Sequence, residues 1–163
     1  MPEPLLSVEQ LLEILAATPA RITALTKGLS AARLLMPPQA GEWSARDVLA
    51  HLRACSDVWG RYIALILEQD RPAFKAVSPR TYIKKTDYLE QAFRPALRAF
   101  TAQRAGLLDL LKPLPPRAWS RSATVTGAGR PHQISVQAYA DRLARHEREH
   151  VRQVERIATT LRS

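Results

Sequence analysis

The stretch SVQAYADRLARHEREHVRQVERIATTL, residues 135–161, repeats apolar residues every three or four positions over its whole length. At about 100° per residue, such a repeat gives a helix with one buried face. The side chains on that face are Val136, Tyr139, Leu143, Val154, Ile157 and Leu161, and those on the opposite face are Arg145, Arg148, Arg152 and Arg156. The sequence therefore predicts a long final helix, from Ser135 to about Leu161, that packs one face against a core.

The same helix contains HEREH, residues 146–150, which matches the H-E-x-x-H pattern of zinc metalloproteases. His146, Glu147 and His150 lie on or beside the buried face, and two histidines one turn apart can bind one metal ion. A protease of this type takes its third ligand from a later segment. Only thirteen residues follow His150, and none of them is histidine or glycine. These features argue against a protease, and we look for a third ligand upstream.

Two other histidines are available upstream. His132 lies in a Gly-Arg-Pro loop, where we expect it to be solvated. His51 lies in a helix predicted from Ser44 to about Glu68, on the same face as Val48, Leu52, Cys55, Trp59, Tyr62 and Ile66. Three inward histidines are costly to bury unless a partner uses their lone pairs. A metal ion is the simplest partner, and histidines hydrogen-bonded to core neighbours are the alternative.

The other helices are predicted from caps and proline breaks. A capping box at Ser7–Gln10 begins the first helix, and Thr18-Pro19 is expected to be a second N-cap that interrupts or kinks it. A further helix is predicted over 94–111. We expect residues 70–79 to form a loop and residues 122–131 an irregular crossover with one short extended piece. Gly127 and Gly129 lack the lysine and preceding strand of a phosphate-binding loop, so an ordinary loop is favoured.

Composition sets the class of protein. The chain has 163 residues, of which 46% are hydrophobic, and we expect one all-α domain over 1–163, a four-helix bundle with long connections. The single cysteine, Cys55, excludes an internal disulfide and favours a reducing compartment. No signal peptide or 20-residue apolar run is visible, so a cytoplasmic protein without a membrane segment is expected. The net charge of +9 is spread along the chain, which argues against a nucleic-acid partner.

Two segments resemble the signature segments of the DinB-like (YfiT-like) superfamily: EWSARDVLAHL at residues 42–52 and ARHEREHVRQV at residues 144–154. The resemblance extends from about Leu11 to Ile157. It implies a four-helix bundle, a divalent metal site with three histidine ligands, and often a dimer. The ligands implied here are His51, His146 and His150.

Three neutral histidines leave a coordination position for water or substrate, as in catalytic sites. The resemblance implies a metal-dependent hydrolase, or an S-transferase that uses a low-molecular-weight thiol, acting on a small molecule. We expect zinc, with nickel, manganese or iron as alternatives, and a homodimer. Glu147 is the predicted catalytic base, although it can instead orient a ligand or be simply buried and hydrogen-bonded.

Two alternatives stay open from the sequence. Cys55, one turn after His51, can be a fourth ligand, a redox-sensitive neighbour or an apolar filler. The function from another class is a non-catalytic metal-binding or stress-associated module that contacts nucleic acid through its arginine-rich surface. A site closed by protein side chains would favour the module, and an open site beside a cavity would favour the enzyme.

Overall fold

The computed structural model describes residues 3–163, and over this range seven α-helices follow one another: α1 (Val8–Thr26), α2 (Ala31–Leu34), α3 (Ala45–Glu68), α4 (Pro79–Tyr82), α5 (Phe93–Leu111), α6 (Pro116–Trp119) and α7 (Val136–Arg162). The long helices α1, α3, α5 and α7 form a bundle. α7 packs against α1 and α3, and α5 packs against the same two helices, so α1 and α3 lie diagonally across the bundle. The predicted four-helix bundle with long connections is confirmed.

Capping boxes begin two of these helices where the sequence predicts them. The Ser7 hydroxyl accepts from the Gln10 amide of α1, and the Ser44 hydroxyl accepts from the Asp47 amide of α3. In return, the side chain of Gln10 accepts from the backbone amide of Ser7, and the side chain of Asp47 accepts from the backbone amide of Ser44. These reciprocal bonds satisfy donors that a helix otherwise leaves free, and fix the first turn of α3, on which the later position of His51 depends.

The predicted N-cap and interruption at Thr18-Pro19 are wrong, because α1 continues through Pro19 to Thr26. The Thr18 hydroxyl does not cap a new helix; it donates backwards to the Ile14 carbonyl at 3.0 Å. Proline has no N–H, so the Leu15 carbonyl loses its partner four residues ahead. The buried Arg104 side chain of α5 donates to that carbonyl instead, at 2.9 Å. A bond from another helix therefore stabilises α1 at its proline.

The two long connections contain more regular structure than predicted. Strands β1 (Ala73–Lys75), β2 (Ser122–Thr126) and β3 (His132–Ser135) form a small sheet, with β1 parallel and β3 antiparallel to β2. The loop predicted over 70–79 thus contains a strand, and the crossover contains a hairpin. Ala123, Val125 and Ile134 point from this sheet into the core. Their burial explains why such short strands are stable.

The apolar core of the bundle is divided into two clusters. One cluster, next to the sheet, includes Leu11, Tyr62, Leu108 and Tyr139, and the other, at the opposite end, includes Ile22, Leu49, Phe100 and Ile157. Between the two clusters lie buried polar side chains, which are His51 and Ser56 from α3, Arg104 from α5 and Glu147 from α7. The candidate site occupies this polar layer. Among the described residues, no helix has the length and apolar composition that crossing a bilayer would require.

Candidate metal centre

Three histidine side chains converge in the polar layer. The Nε2 atom of His146 lies 3.0 Å from Nε2 of His51 and 3.1 Å from Nε2 of His150. His146 and His150 are one turn apart on α7, and His51 reaches them from α3. The structure therefore brings together the three side chains that the sequence singles out, although 95 residues separate His51 from His146.

Two tryptophans form the walls around the imidazoles. The Trp43 ring stacks on His150 at an interplanar angle of 11° and meets His51 edge-on, with ring centroids 5.3 Å apart. The Trp59 ring contacts His146 edge-on, also at 5.3 Å. Such rings restrict both the rotation of the imidazoles and the approach of water.

Burial keeps the imidazoles of His51 and His146 neutral. Loss of hydration, together with smaller effects of the charges of His150 and Arg80, lowers the pKa of His51 from 6.5 to about 4. The same loss of hydration lowers the pKa of His146 to about 3, with contributions from His150 and His51. At neutral pH each of these two side chains is therefore uncharged and has one ring nitrogen with a free lone pair.

The spacing of His146 from each of the other two histidines fits a shared divalent cation. Nitrogen atoms that bind one zinc ion at about 2.0–2.1 Å lie no more than about 4 Å apart, and both His146 distances meet this limit. Nδ1 of His150 lies 2.8 Å from Oε1 of Gln153. With the amide oxygen as acceptor, Nδ1 of His150 is the donor, and in the tautomer that binds a metal the Nε2 lone pair faces the cluster. Nδ1 of His146 is buried and has no partner among residues 3–163, so packing against Trp59 orients this ring.

The Cys55 thiol is close to the same cluster. Its Sγ lies 3.6 Å from Nε2 of His51, and His51, Cys55 and His146 form a group whose ligand atoms lie within 4.8 Å of one another. Burial, followed by the negative charge of Glu147, raises the pKa of the Cys55 thiol to about 12. The thiol is therefore protonated at neutral pH, and it would have to lose its proton to serve as a ligand.

The carboxylate of Glu147 is paired with Arg104 and is not free to act as a base. It is completely buried and accepts from both terminal nitrogens of Arg104, from Nη1 at 2.8 Å and also from Nη2. Arg104 also donates to Ser56 at 3.2 Å and to the Leu15 carbonyl. Both oxygens of Glu147 are thus engaged in a bidentate ion pair. Of the roles considered from the sequence, this geometry favours a carboxylate that is simply buried and hydrogen-bonded.

A cleft of about 570 Å³ opens beside the imidazoles. Its lining includes Trp43, Arg80, His150, Gln153 and Arg156. His150 is thus the histidine of the cluster that lines this cleft, whereas His51 is buried, at 8% exposure. The candidate site is therefore reachable by a small molecule from one side.

Several of these neighbours were not predicted. They are Arg104 as the partner of Glu147, Trp43 as the ring stacked on His150, and Arg80 at the cleft. Trp59 was predicted on the same helix face as His51, and the position of Trp43 next to the Ser44 cap was a local signal. His132 is exposed on β3 and its Nδ1 lies 3.0 Å from the Arg130 carbonyl, as the solvated position predicts.

Comparison with known proteins supports this architecture. The family model described as the DinB superfamily matches residues 14–154 of the chain. The fold matches that of YfiT from Bacillus subtilis, with a TM-score of 0.81 and 16% sequence identity over 98% of this chain and 91% of that chain. YfiT is described as "a probable metal-dependent hydrolase with an unusual four-helix bundle topology". No curated protein sequence matches the chain. The family resemblance inferred from the two segments is confirmed.

Proposed function

Because this chain belongs to the DinB superfamily, we propose that it is a metal-dependent enzyme acting on a small molecule, with His51, His146 and His150 as ligands of one divalent cation. The observation that carries the proposal is the convergence of three histidines beside an open cleft, with Nε2 of His146 3.0 Å from Nε2 of His51 and 3.1 Å from Nε2 of His150. The description of YfiT as a metal-dependent hydrolase is consistent with it. Zinc fits three imidazoles best, and nickel, manganese and iron are the alternatives.

A divalent cation held by three neutral imidazoles supplies a positive charge that favours deprotonation of a water molecule or of a thiol. The chain's own contribution is to bring the Nε2 atoms of the three histidines together, to pack Trp43 and Trp59 against their rings, and to leave the His150 side open to the cleft. Either nucleophile would lose a proton on activation, and the carboxylate of Glu147, the predicted base, has both oxygens bonded to Arg104. This pairing argues against Glu147 as the base in both reactions, and the hydrolase and the S-transferase are retained as the two forms of the proposal.

The metal site is tested by elemental analysis of gently purified protein and of three variants. We expect about one divalent ion per chain in the native protein. His51→Ala and His150→Ala should each lower metal affinity by orders of magnitude, because each removes one of three ligands. His132→Ala, which changes an exposed histidine, is the matched control and should bind metal normally. Loss of metal in the His132 variant but not in the His51 variant would contradict the proposed ligand set.

The reaction type is tested by incubating metal-loaded protein with a panel of electrophiles, with and without bacillithiol, mycothiol or glutathione. Consumption that needs a thiol and disappears in His146→Ala would support transfer. Consumption without a thiol would support hydrolysis. If the loaded protein turns over no member of a broad panel, the enzyme proposal should be given up.

The alternative function is a non-catalytic metal-binding module, and the proximity of Cys55 to His51 is the observation that favours it. A thiolate ligand would close the site. Cys55→Ala separates the two functions, since a closed site should lose much of its metal affinity, whereas an open three-histidine site should keep it. The proximity of a sulfur ligand can also be read from the spectrum of the cobalt-substituted protein.

Three further expectations from the sequence stand as proposals here: one domain over the whole chain, a homodimer, and a cytoplasmic location. The dimer is checked by sedimentation equilibrium of the metal-loaded protein. Affinity for nucleic acid is expected to be weak and to disappear at physiological salt, because the positive charge is dispersed.

A further inference from the structure

Two arginines reach the cleft that contains His150. Arg156 lies on the same helix as His150, six residues later, and Arg80 lies on α4, in the connection between α3 and α5. Neither guanidinium forms an ion pair or a side-chain hydrogen bond with another described residue. Two guanidinium groups with unused donors therefore line the same cavity as a candidate metal ligand.

Hydrogen bonds of neighbouring residues hold the segment that carries Arg80. Ser78 caps α4, and the Tyr82 hydroxyl donates to the Asp57 carboxylate of α3 at 2.9 Å. Tyr88, further along the same connection, donates to the same carboxylate and stacks against Arg53, whose guanidinium carbon lies 3.9 Å from the ring centre. These contacts attach the connection to α3 close to His51. Arg80 is thus carried by an anchored segment rather than by a free loop.

The cleft favours an anion. The cleft-lining side chains include one carboxylate, that of Glu42, and two guanidinium groups, while Gln39, Gln153 and Thr160 add neutral hydrogen-bonding groups. The imidazoles add no negative charge, and a bound divalent cation would add positive charge. Guanidinium groups bind carboxylates and phosphates through two parallel hydrogen bonds, which gives them a preference for these planar or tetrahedral oxyanions.

We infer that the small molecule that binds at this site carries an oxyanionic group, a carboxylate or a phosphate, held by Arg80 and Arg156 while its reacting end faces the three histidines. The placement of the molecule's reacting end rests on the proposed function, whereas the placement of its anionic end rests on the two arginines alone. It assigns to Arg80 and Arg156 a role in substrate binding and selects anionic over neutral members of any substrate panel.

The test is isothermal titration calorimetry of metal-free protein with succinate and with inorganic phosphate, at constant ionic strength. Metal is left out so that neither anion binds through an ion. Arg80→Gln and Arg156→Gln should each weaken binding of the preferred anion roughly tenfold or more, since each removes charge-assisted hydrogen bonds. Arg98→Gln is the matched control: Arg98 is exposed on α5, away from the cleft lining, and its loss changes the net charge equally.

Each outcome decides the matter. Stronger binding of succinate identifies a carboxylate site, and stronger binding of phosphate identifies a phosphate site, provided that both cleft variants weaken it. Equal weakening by Arg98→Gln would mean a general effect of net charge and would overturn the inference, as would unchanged binding in the two cleft variants or no measurable heat with either anion. Metal analysis of the gently purified protein, before its metal is removed for the titration, is independent, so an absent metal there with intact anion binding would refute the proposed function and leave the anion site standing.

Discussion

Replacement of Arg104 by methionine is expected to be among the most damaging single changes in this protein. Arg104 is 1% exposed and Glu147 is fully buried. The guanidinium donates to both oxygens of Glu147, to Ser56 and to the Leu15 carbonyl that Pro19 leaves without an amide partner. Arg104→Met keeps much of the side-chain length and removes all of these donors at once.

The magnitude follows from what is left behind. An uncompensated buried charge after the loss of its partner costs about 3–5 kcal/mol. The unpaired Leu15 carbonyl adds about 1–3 kcal/mol. We therefore expect the free energy of unfolding to fall by at least about 4 kcal/mol, a large share of the roughly 5–15 kcal/mol typical of a domain. In the double variant Arg104→Met/Glu147→Met no charge is buried, and only the carbonyl and hydroxyl penalties remain. The double variant should be more stable than the single variant by about 3–5 kcal/mol, the penalty of the unpaired charge.

Urea unfolding followed by circular dichroism measures both differences. Arg98→Met, which removes an exposed arginine from the same helix, is the control and should change stability by less than about 0.5 kcal/mol. The reasoning would be refuted if Arg104→Met were as stable as Arg98→Met. It would also be refuted if the second substitution lowered stability further instead of restoring part of it.

Three other predictions concern the surroundings of the site. Because burial lowers the pKa values of His51 and His146 to about 4 and about 3, from 6.5, the unfolded chain binds more protons than the folded one as the pH falls. The contribution of these two histidines to the stability of the metal-free protein should therefore be fully present above about pH 6.5 and decline below it. The midpoint of urea unfolding should be lower at pH 5 than at pH 8, and the difference should be smaller in the variant His51→Gln/His146→Gln. An unchanged midpoint in the native protein would contradict this. Cys55, with its pKa raised to about 12, should react with a thiol reagent only as fast as the protein unfolds, and rapid labelling without urea would be the contrary result. Asp57→Ala removes the acceptor of two tyrosine hydroxyls and should expose the connection over 79–90 to trypsin, whereas cleavage at the native rate would show that these bonds do not hold it.

Much of the fold was predictable because it depends on local signals. The capping boxes at Ser7 and Ser44 and the apolar period of α7 specify helices without reference to the rest of the chain. The three histidines were predictable for a related reason, since each lies on the buried face of its helix. The break at Pro19 was predicted wrongly because the donor that replaces its missing amide is Arg104, 89 residues away in sequence. No local pattern contains that information.

The sheet and the cleft show two further limits of periodicity. Strands of three to five residues alternate only once or twice, so their pattern is indistinguishable from that of a loop until the core covers Ala123 and Val125. A helical wheel assigns the direction in which a side chain leaves the backbone, not how far it reaches. Arg156 leaves α7 on the solvent face, yet it lines the cleft with His150, because its long side chain can bend along the surface.

The buried pair of Arg104 and Glu147 connects the fold to the site. Replacing such a pair by apolar residues often costs little stability, so stability alone does not explain its presence in the middle of the bundle. The pair joins α5 to α7 at Glu147, the residue next to His146, and Arg104 also bonds to α1 and α3. All four long helices are thus fixed relative to one another at the layer where the three imidazoles meet. If this is its role, the double variant Arg104→Met/Glu147→Met should keep a cooperative unfolding transition but bind metal about 10-fold or more weakly, as supporting contacts around metal ligands do. Native metal affinity in that variant would show that the histidines are positioned without the pair.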